Sequence, residues 1–220
     1  RKQKRRRTAM KQRRPDYATM AQVMAGLSQR DHQLIRRLRQ RRYLRTDQVH
    51  RLLFAPTMTM RRCAGHLYDL ACKGVIASVQ VWDGENGKSK KWAYWHLALL
   101  GWLIATGEMP DQVRLAHSSR YARHYGAVAE VWLRLLAEER QFQWIDDQKY
   151  QTSTGMLQPD GVTVHEGFYA AIEVDLGSER GKNLAEKLDK YADLYGNPAE
   201  VGQDSAPALL LVSGDEARAT

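Results

Sequence analysis

The residues best suited to chemistry sit in the second half of the chain. Pro159-Asp160 lies in one β-prone stretch, and Glu173-Val174-Asp175 lies in the next. Side chains alternate along a strand, so Glu173 and Asp175 share one face and Val174 takes the other. If the two strands pair, Asp160 joins them in a three-carboxylate cluster. Carboxylates held that close raise one another's pKa, and a bound cation relieves the repulsion. Oxygen ligands of this kind suit Mg2+ or Mn2+. The metal ligands expected here are therefore Asp160, Glu173 and Asp175. A metal at that point would activate water against a phosphodiester and stabilise the charge that develops.

Holding such a cluster requires a sheet flanked by helices, and the hydrophobic pattern supplies them. A long helix is expected over 113–139, with Tyr121, Tyr125, Val128, Trp132, Leu135 and Leu136 as its buried stripe. Strands follow at 142–145, 156–164 and 168–176, then a helix over 178–195 and a strand over 208–212. The order is αβββαβ.

The first half has a different plan. Thr46 is placed to cap a helix with Val49, Leu52 and Leu53 on one face, and Ala55-Pro56 stops it. A second helix starts near Thr57 or Thr59 and ends at Gly74, with Met60, Cys63, Leu67 and Leu70 as its apolar stripe. Its other face carries Arg61, Arg62, Gly65, His66, Asp69 and Lys73. Before this pair, Ser28 or Asp31 caps a helix reaching Arg42, with Leu34, Ile35 and Leu38 inward and Arg36, Arg37, Arg39, Arg41 and Arg42 on the remaining surface. After Gly74 the period changes to that of strands. Residues 75–82 and 92–97 flank the turn signals Asp83-Gly84 and Asn86-Gly87, which makes a hairpin whose tip carries Lys88, Lys90 and Lys91. Three helices and a basic-tipped hairpin make a winged helix-turn-helix, a fold that sets a recognition helix in a DNA major groove.

Charge divides the chain in the same place. Residues 1–110 hold 23 Lys/Arg against 7 Asp/Glu, a net +16, whereas residues 111–220 hold 11 against 18, a net −7. A basic half joined to an acidic one points to a polyanion-binding unit attached to a unit with another job. The run over 1–14 is dense enough in like charge to remain an arm along phosphates or in a minor groove. No run of about 18 apolar residues is present, so no membrane span is expected. No secretory signal is expected, since the first residues show no hydrophobic stretch. Cys63 and Cys72 are nine residues apart on one expected helix, too far to pair. These features suit a cytoplasmic protein. The seven histidines are scattered without a zinc-binding spacing, and no phosphate-binding glycine loop occurs.

Two resemblances follow from these residues. The C-terminal part resembles a PD-(D/E)XK nuclease core, with Asp160 and Glu173 at its two acidic positions. Asp175 stands where that pattern has its lysine. In some members the lysine comes from the following helix, so the resemblance implies Lys187, or else Lys182, as its replacement, giving a catalytic set of Asp160, Glu173 and Lys187. The first-helix glutamate of some members has no clear match in Glu130 or Glu138. The chain from residue 28 to about 212 also resembles the replication-relaxation family of plasmids and other mobile elements. The matching pieces include Arg30-Asp31, the stretch from Tyr43 to Val49, Arg61-Arg62, Leu157 to Asp160, Ile172 to Glu179, Lys187 to Tyr191 and Leu209 to Val212.

The expectation is an α+β chain with a basic arm over 1–26, a winged helix-turn-helix over 27–106 and an αβββαβ, restriction-endonuclease-like domain over 107–220. Its expected partner is double-stranded DNA at an origin-like or transfer-origin site, read by Thr57, Thr59, Arg61, Arg62 and His66. Arg45, Thr46, Lys73, Lys88, Lys90 and Lys91 add backbone contacts. The family resemblance implies a role accessory to a relaxase or replication initiator. A Mg2+-dependent nuclease and a transcriptional regulator are the alternative readings.

Overall fold

The computed structural model describes residues 17–83, 90–108, 119–138, 142–176, 181–196 and 207–213. Residues 1–16 of the expected arm, the hairpin tip with Lys88, His117 and the helix start expected at Val113 lie outside them, as do the side chains of Lys90 and Lys182; residues 17–25 of that expected arm are a helix.

In the N-terminal half, α1 (Tyr17–Ala25) sends Met20 into the core shared with α2 (Gln29–Arg41). Ser28 caps α2. Its hydroxyl accepts the Asp31 N–H at 3.2 Å, and an Asp31 oxygen accepts the Ser28 N–H at 2.8 Å. This reciprocal pair satisfies two donors that the first turn otherwise leaves open. The short strand β1 (Leu44–Arg45) leads into α3 (Thr46–Val49), which runs on as a π-helical turn over His50–Phe54. Ala55 leaves that turn at extended angles, as a residue before proline must. Then α4 (Met60–Cys72) begins at the cap Thr59. It ends with the Val75 N–H on the Leu70 carbonyl at 3.0 Å and Gly74 at φ 73°, the closing turn expected of that glycine. Strands β2 (Ile76–Asp83) and β3 (Lys90–Leu97) form an antiparallel hairpin, and β1 pairs with the other edge of β3. The helix α5 (Leu99–Thr106) packs against α2 and the hairpin. Leu34, Ile35, Leu38, Phe54, Cys63, Leu67, Leu70 and Trp95 form the centre of this half.

The C-terminal half opens with α6 (Ser119–Glu138). Strands β4 (Gln143–Ile145), β7 (Gly161–His165), β8 (Phe168–Asp175) and β9 (Ala208–Ser213) form one sheet in the order β4-β7-β8-β9. The pair β8–β9 is parallel, and α7 (Gly181–Gly196) lies between them in sequence. A separate hairpin is made by β5 (Tyr150–Thr152) and β6 (Gly155–Leu157). The chain is thus a mixed α+β protein. Among the described residues no helix is long and apolar enough to cross a membrane.

Four expectations are corrected. Met60 is 42% exposed, because it occupies the first residue of α4; the buried stripe begins at Cys63. The strand expected over 156–164 breaks at Pro159, which cannot donate to a ladder, so that β6 and β7 belong to different sheets. Arg41 is buried rather than part of the α2 surface. The α6 stripe is also different: Tyr121 and Leu136 are exposed, while Ala122, Gly126, Val128, Ala129, Trp132 and Leu133 are buried.

The last correction has a structural cause. Both halves pack on α6. Ala122 sits among Tyr43, Val81 and Tyr94 of the N-terminal half, and Ala129 joins its main core. On the other side, Val128, Val131 and Leu135 pack with Ile172, Val174 and Val212. Small residues face one sheet and branched residues face the other. Arg37 and Arg41 of α2 stack their guanidinium groups on Trp132, at 5.3 and 5.0 Å from the ring centroid.

Candidate functional site

The carboxylates expected to do chemistry meet beside β8. Asp160 occupies the bend before β7, with its N–H on the Ile172 carbonyl at 3.0 Å. One carboxylate oxygen accepts the Val174 N–H at 2.8 Å, and the other accepts from His124 Nε2 of α6 at 2.9 Å. Glu173 is buried on β8. One of its oxygens accepts the Tyr191 hydroxyl at 2.8 Å and the other accepts the Lys187 ammonium. Lys187 and Tyr191 are four residues apart on α7, which places both over the same strand.

The environment separates the two acids. Burial pushes Glu173 up to about 7, with the Asp160 charge adding to the rise and Lys187 and Tyr191 opposing it. Burial also acts on Asp160, but the His124 hydrogen bond and charge, the Val174 N–H and the Lys187 charge outweigh it and hold Asp160 below the usual carboxylate range. The Tyr191 hydroxyl is raised by burial and by the Glu173 charge beside it. Asp160 also lines a polar cavity of about 300 Å3 between the halves, walled by Arg41, Arg42, Tyr125, Asp146 and Gln158 among others.

The expected three-carboxylate cluster does not assemble as a ligand set. Among the described residues no group of three His, Cys, Asp or Glu side chains is arranged to hold a metal ion. All four oxygens of Asp160 and Glu173 already have protein donors, and Lys187 supplies the positive charge that a cation would bring. The arrangement therefore does not fit Mg2+ or Mn2+ as it stands. Asp175 is buried further along β8. Lys187 reaches Glu173 from α7. Glu130 accepts from Gln48, Arg45 and Arg51 of the N-terminal half instead of joining Asp160. Glu138 ends α6 on the surface.

The residues expected at DNA fall into two groups. Arg61, Arg62 and Lys73 are exposed on α4 or at its end, and Lys91 is exposed on β3 with its ammonium 5.7 Å from the Trp82 ring centroid. Thr57 and Thr59 are also exposed, although each serves the fold: Thr57 donates to the Phe54 carbonyl, and Thr59 caps α4. The second group is engaged inside the molecule. Arg45 pairs with Asp47 and Glu130 and lies on the Trp92 ring. The Thr46 hydroxyl accepts from Trp95 Nε1 at 2.9 Å; Arg45, not Thr46, holds the cap position of α3. His66 donates to Asp31 at 2.6 Å, tying α4 to α2.

The sequence match covers most of both halves: the replication-relaxation family model aligns with residues 35–206. The chain belongs to that family. No curated protein matches it. Within this member of the family, His124 and Tyr191 join the acidic centre although the sequence pattern does not place them there. Tyr191 had a signal, since it lies one helical turn after Lys187. His124 had none, because its partner is 36 residues away, beyond β4, β5 and β6.

Proposed function

We propose that the chain is a sequence-specific double-stranded DNA-binding protein acting in plasmid or mobile-element replication or mobilisation, accessory to a relaxase or initiator. Family membership supplies the setting. The observation that carries the DNA-binding part is the order α2-β1-α3-α4-β2-β3, with the antiparallel sheet β1-β3-β2. That order supports a winged helix-turn-helix reading in which α4 is the recognition helix and the β2–β3 hairpin the wing. Arg61 and Arg62 are then free to reach base edges and phosphates, while Lys91 contacts the backbone from the wing. Arg45, Thr46 and His66 hold the reading helix in place instead of reading. The net +16 of residues 1–110 supplies the non-specific attraction that brings such a protein to a polyanion. Selection of duplexes from a random pool by the full chain tests the reading, since a sequence-specific binder enriches one site.

One observation favours a second reading, a DNA-cleaving enzyme with a nuclease-like C-terminal core. Lys187 stands against Glu173 with Asp160 close by. Supercoiled plasmid incubated with Mg2+ or Mn2+, with wild type beside Asp160→Ala, decides it. Nicking present in wild type and lost in the variant establishes cleavage.

A further inference from the structure

The exposed arc of α4 runs through Arg61, Arg62, Gly65, Tyr68, Asp69 and Lys73, the last at its C-cap. Gly65 is at its middle, four residues after Arg61 and three before Tyr68, so the three line one stripe of the helix. Glycine is a poor helix residue, second only to proline. A helix-interior glycine normally has a packing reason, a neighbour too close for a side chain. Gly126 of α6 has one, since a Cβ there would sit 2.3 Å from the Tyr94 ring. Among the described residues Gly65 has none: a Cβ there would meet nothing within 4 Å.

We infer that Gly65 is the point of closest approach between α4 and a bound DNA duplex, leaving a gap in the side-chain layer that lets the helix backbone seat deeply in the major groove. This rests on the DNA-binding reading above and adds to it the part of the helix that faces the groove floor. Charge selects the occupant. Arg61 and Arg62 lie one turn before the gap and Lys73 two turns after it, so three cations flank the gap against the single acid, Asp69. The width of an α-helix matches the major groove, and depth of entry then decides which side chains reach base edges. Tyr68 is 54% exposed, with its ring held edge-on to Trp95 at 5.3 Å. That contact fixes an aromatic edge beside the gap, where it borders whatever enters. Without the gap, a methyl group would hold the helix off the bases while leaving the phosphate contacts of longer side chains in reach.

Fold and binding thus make opposite demands on this residue, and that is the test. The full chain selects duplexes from a random 30-bp pool, and wild type and Gly65→Ala are then compared on the enriched duplex by fluorescence anisotropy. Thermal unfolding of both is followed by circular dichroism. Gly65→Ala is expected to raise Tm by about 2–4 °C, as a relieved helix glycine does. It is expected to weaken binding to the enriched duplex about tenfold or more, with a smaller loss on a scrambled duplex. Affinity for the enriched duplex within twofold of wild type overturns the inference while leaving DNA binding intact, and hands this face to a protein partner. A lowered Tm also overturns it, because the fold itself then needs the glycine. If wild type enriches nothing from the pool, the DNA-binding reading itself has failed, and the inference with it.

Discussion

Arg51, in the π-helical turn that follows α3, donates to Glu130 of α6 at 2.5 Å across the two halves of the molecule. The same carboxylate accepts from Gln48 at 3.0 Å and from Arg45 at 3.3 Å. Arg134, one turn along α6, approaches it from the other side. Glu130 thereby fixes the segment that leads into α4 to the helix that also carries His124. One helix serves the exposed α4 face at one side and the acidic centre at the other. A displacement of α6 would disturb both.

Glu130→Ala removes the shared acceptor and leaves Arg45, Arg51 and Gln48 without it. Each exposed ion pair contributes little by itself, whereas a half-buried network of three donors is worth more. A loss of about 1–2 kcal/mol is expected, a fall of several degrees in Tm for a chain of this length. Thermal unfolding checks it, and an unchanged Tm would mean that Glu130 does not hold the halves together.

Gly126→Ala is expected to act in the opposite direction from Gly65→Ala. The added methyl would lie 2.3 Å from the Tyr94 ring, with further ring atoms at 2.9 and 3.4 Å. Overpacking of this kind costs about 1–3 kcal/mol. Denaturant midpoints measured on the two variants should move apart, with Gly126→Ala below wild type. Equal midpoints would mean that α6 shifts freely against the N-terminal sheet.

Glu173 predicts a pH signature. Its folded pKa, about 7, lies above the ordinary glutamate value, so the folded state holds a proton that the unfolded state has released. The stability it contributes is complete below the unfolded value and is lost as pH rises through about 7. Tm should therefore decline between about pH 5 and pH 7, and Glu173→Gln should flatten that decline. Asp160 works in the opposite sense: its folded pKa is lowered, so its contribution is present above the ordinary carboxylate value and disappears as pH falls further. An identical slope in Glu173→Gln and wild type between pH 5 and 7 would place the titration elsewhere.

What could be read in advance follows from how local each cause is. The Ser28–Asp31 cap, the turn at Gly74 and the β2–β3 hairpin depend on residues within a few positions, and the chemistry of serine, glycine and proline announces them. Lys187 enters through the nuclease resemblance alone. The double packing of α6 was not, because Ala122, Gly126 and Ala129 carry no hydrophobic signal strong enough to compete with Tyr121 and Leu136. By its place in α2 Arg41 is one more surface charge, yet it stacks on Trp132 and Trp144 and pairs with Asp146, 105 residues away. The carboxylate trio failed for a related reason. Alternation along β8 puts Glu173 and Asp175 on one face, but whether a cation or a lysine meets them depends on where α7 lands. Partners that distant leave no trace in any short window of sequence.

The proposed role of α4 is to read a DNA sequence. The most direct measurement compares wild type with the Arg61→Ala, Arg62→Ala double variant on the duplex enriched from the random pool and on a scrambled duplex, by anisotropy across about 50–200 mM salt. Wild type is expected to prefer the enriched duplex at every salt concentration. The double variant should lose about 1–3 kcal/mol on that duplex and distinctly less on the scrambled one, whereas Lys91→Ala should weaken both alike and reduce the salt slope by about one. Equal binding of both duplexes by wild type throughout the salt series would contradict it.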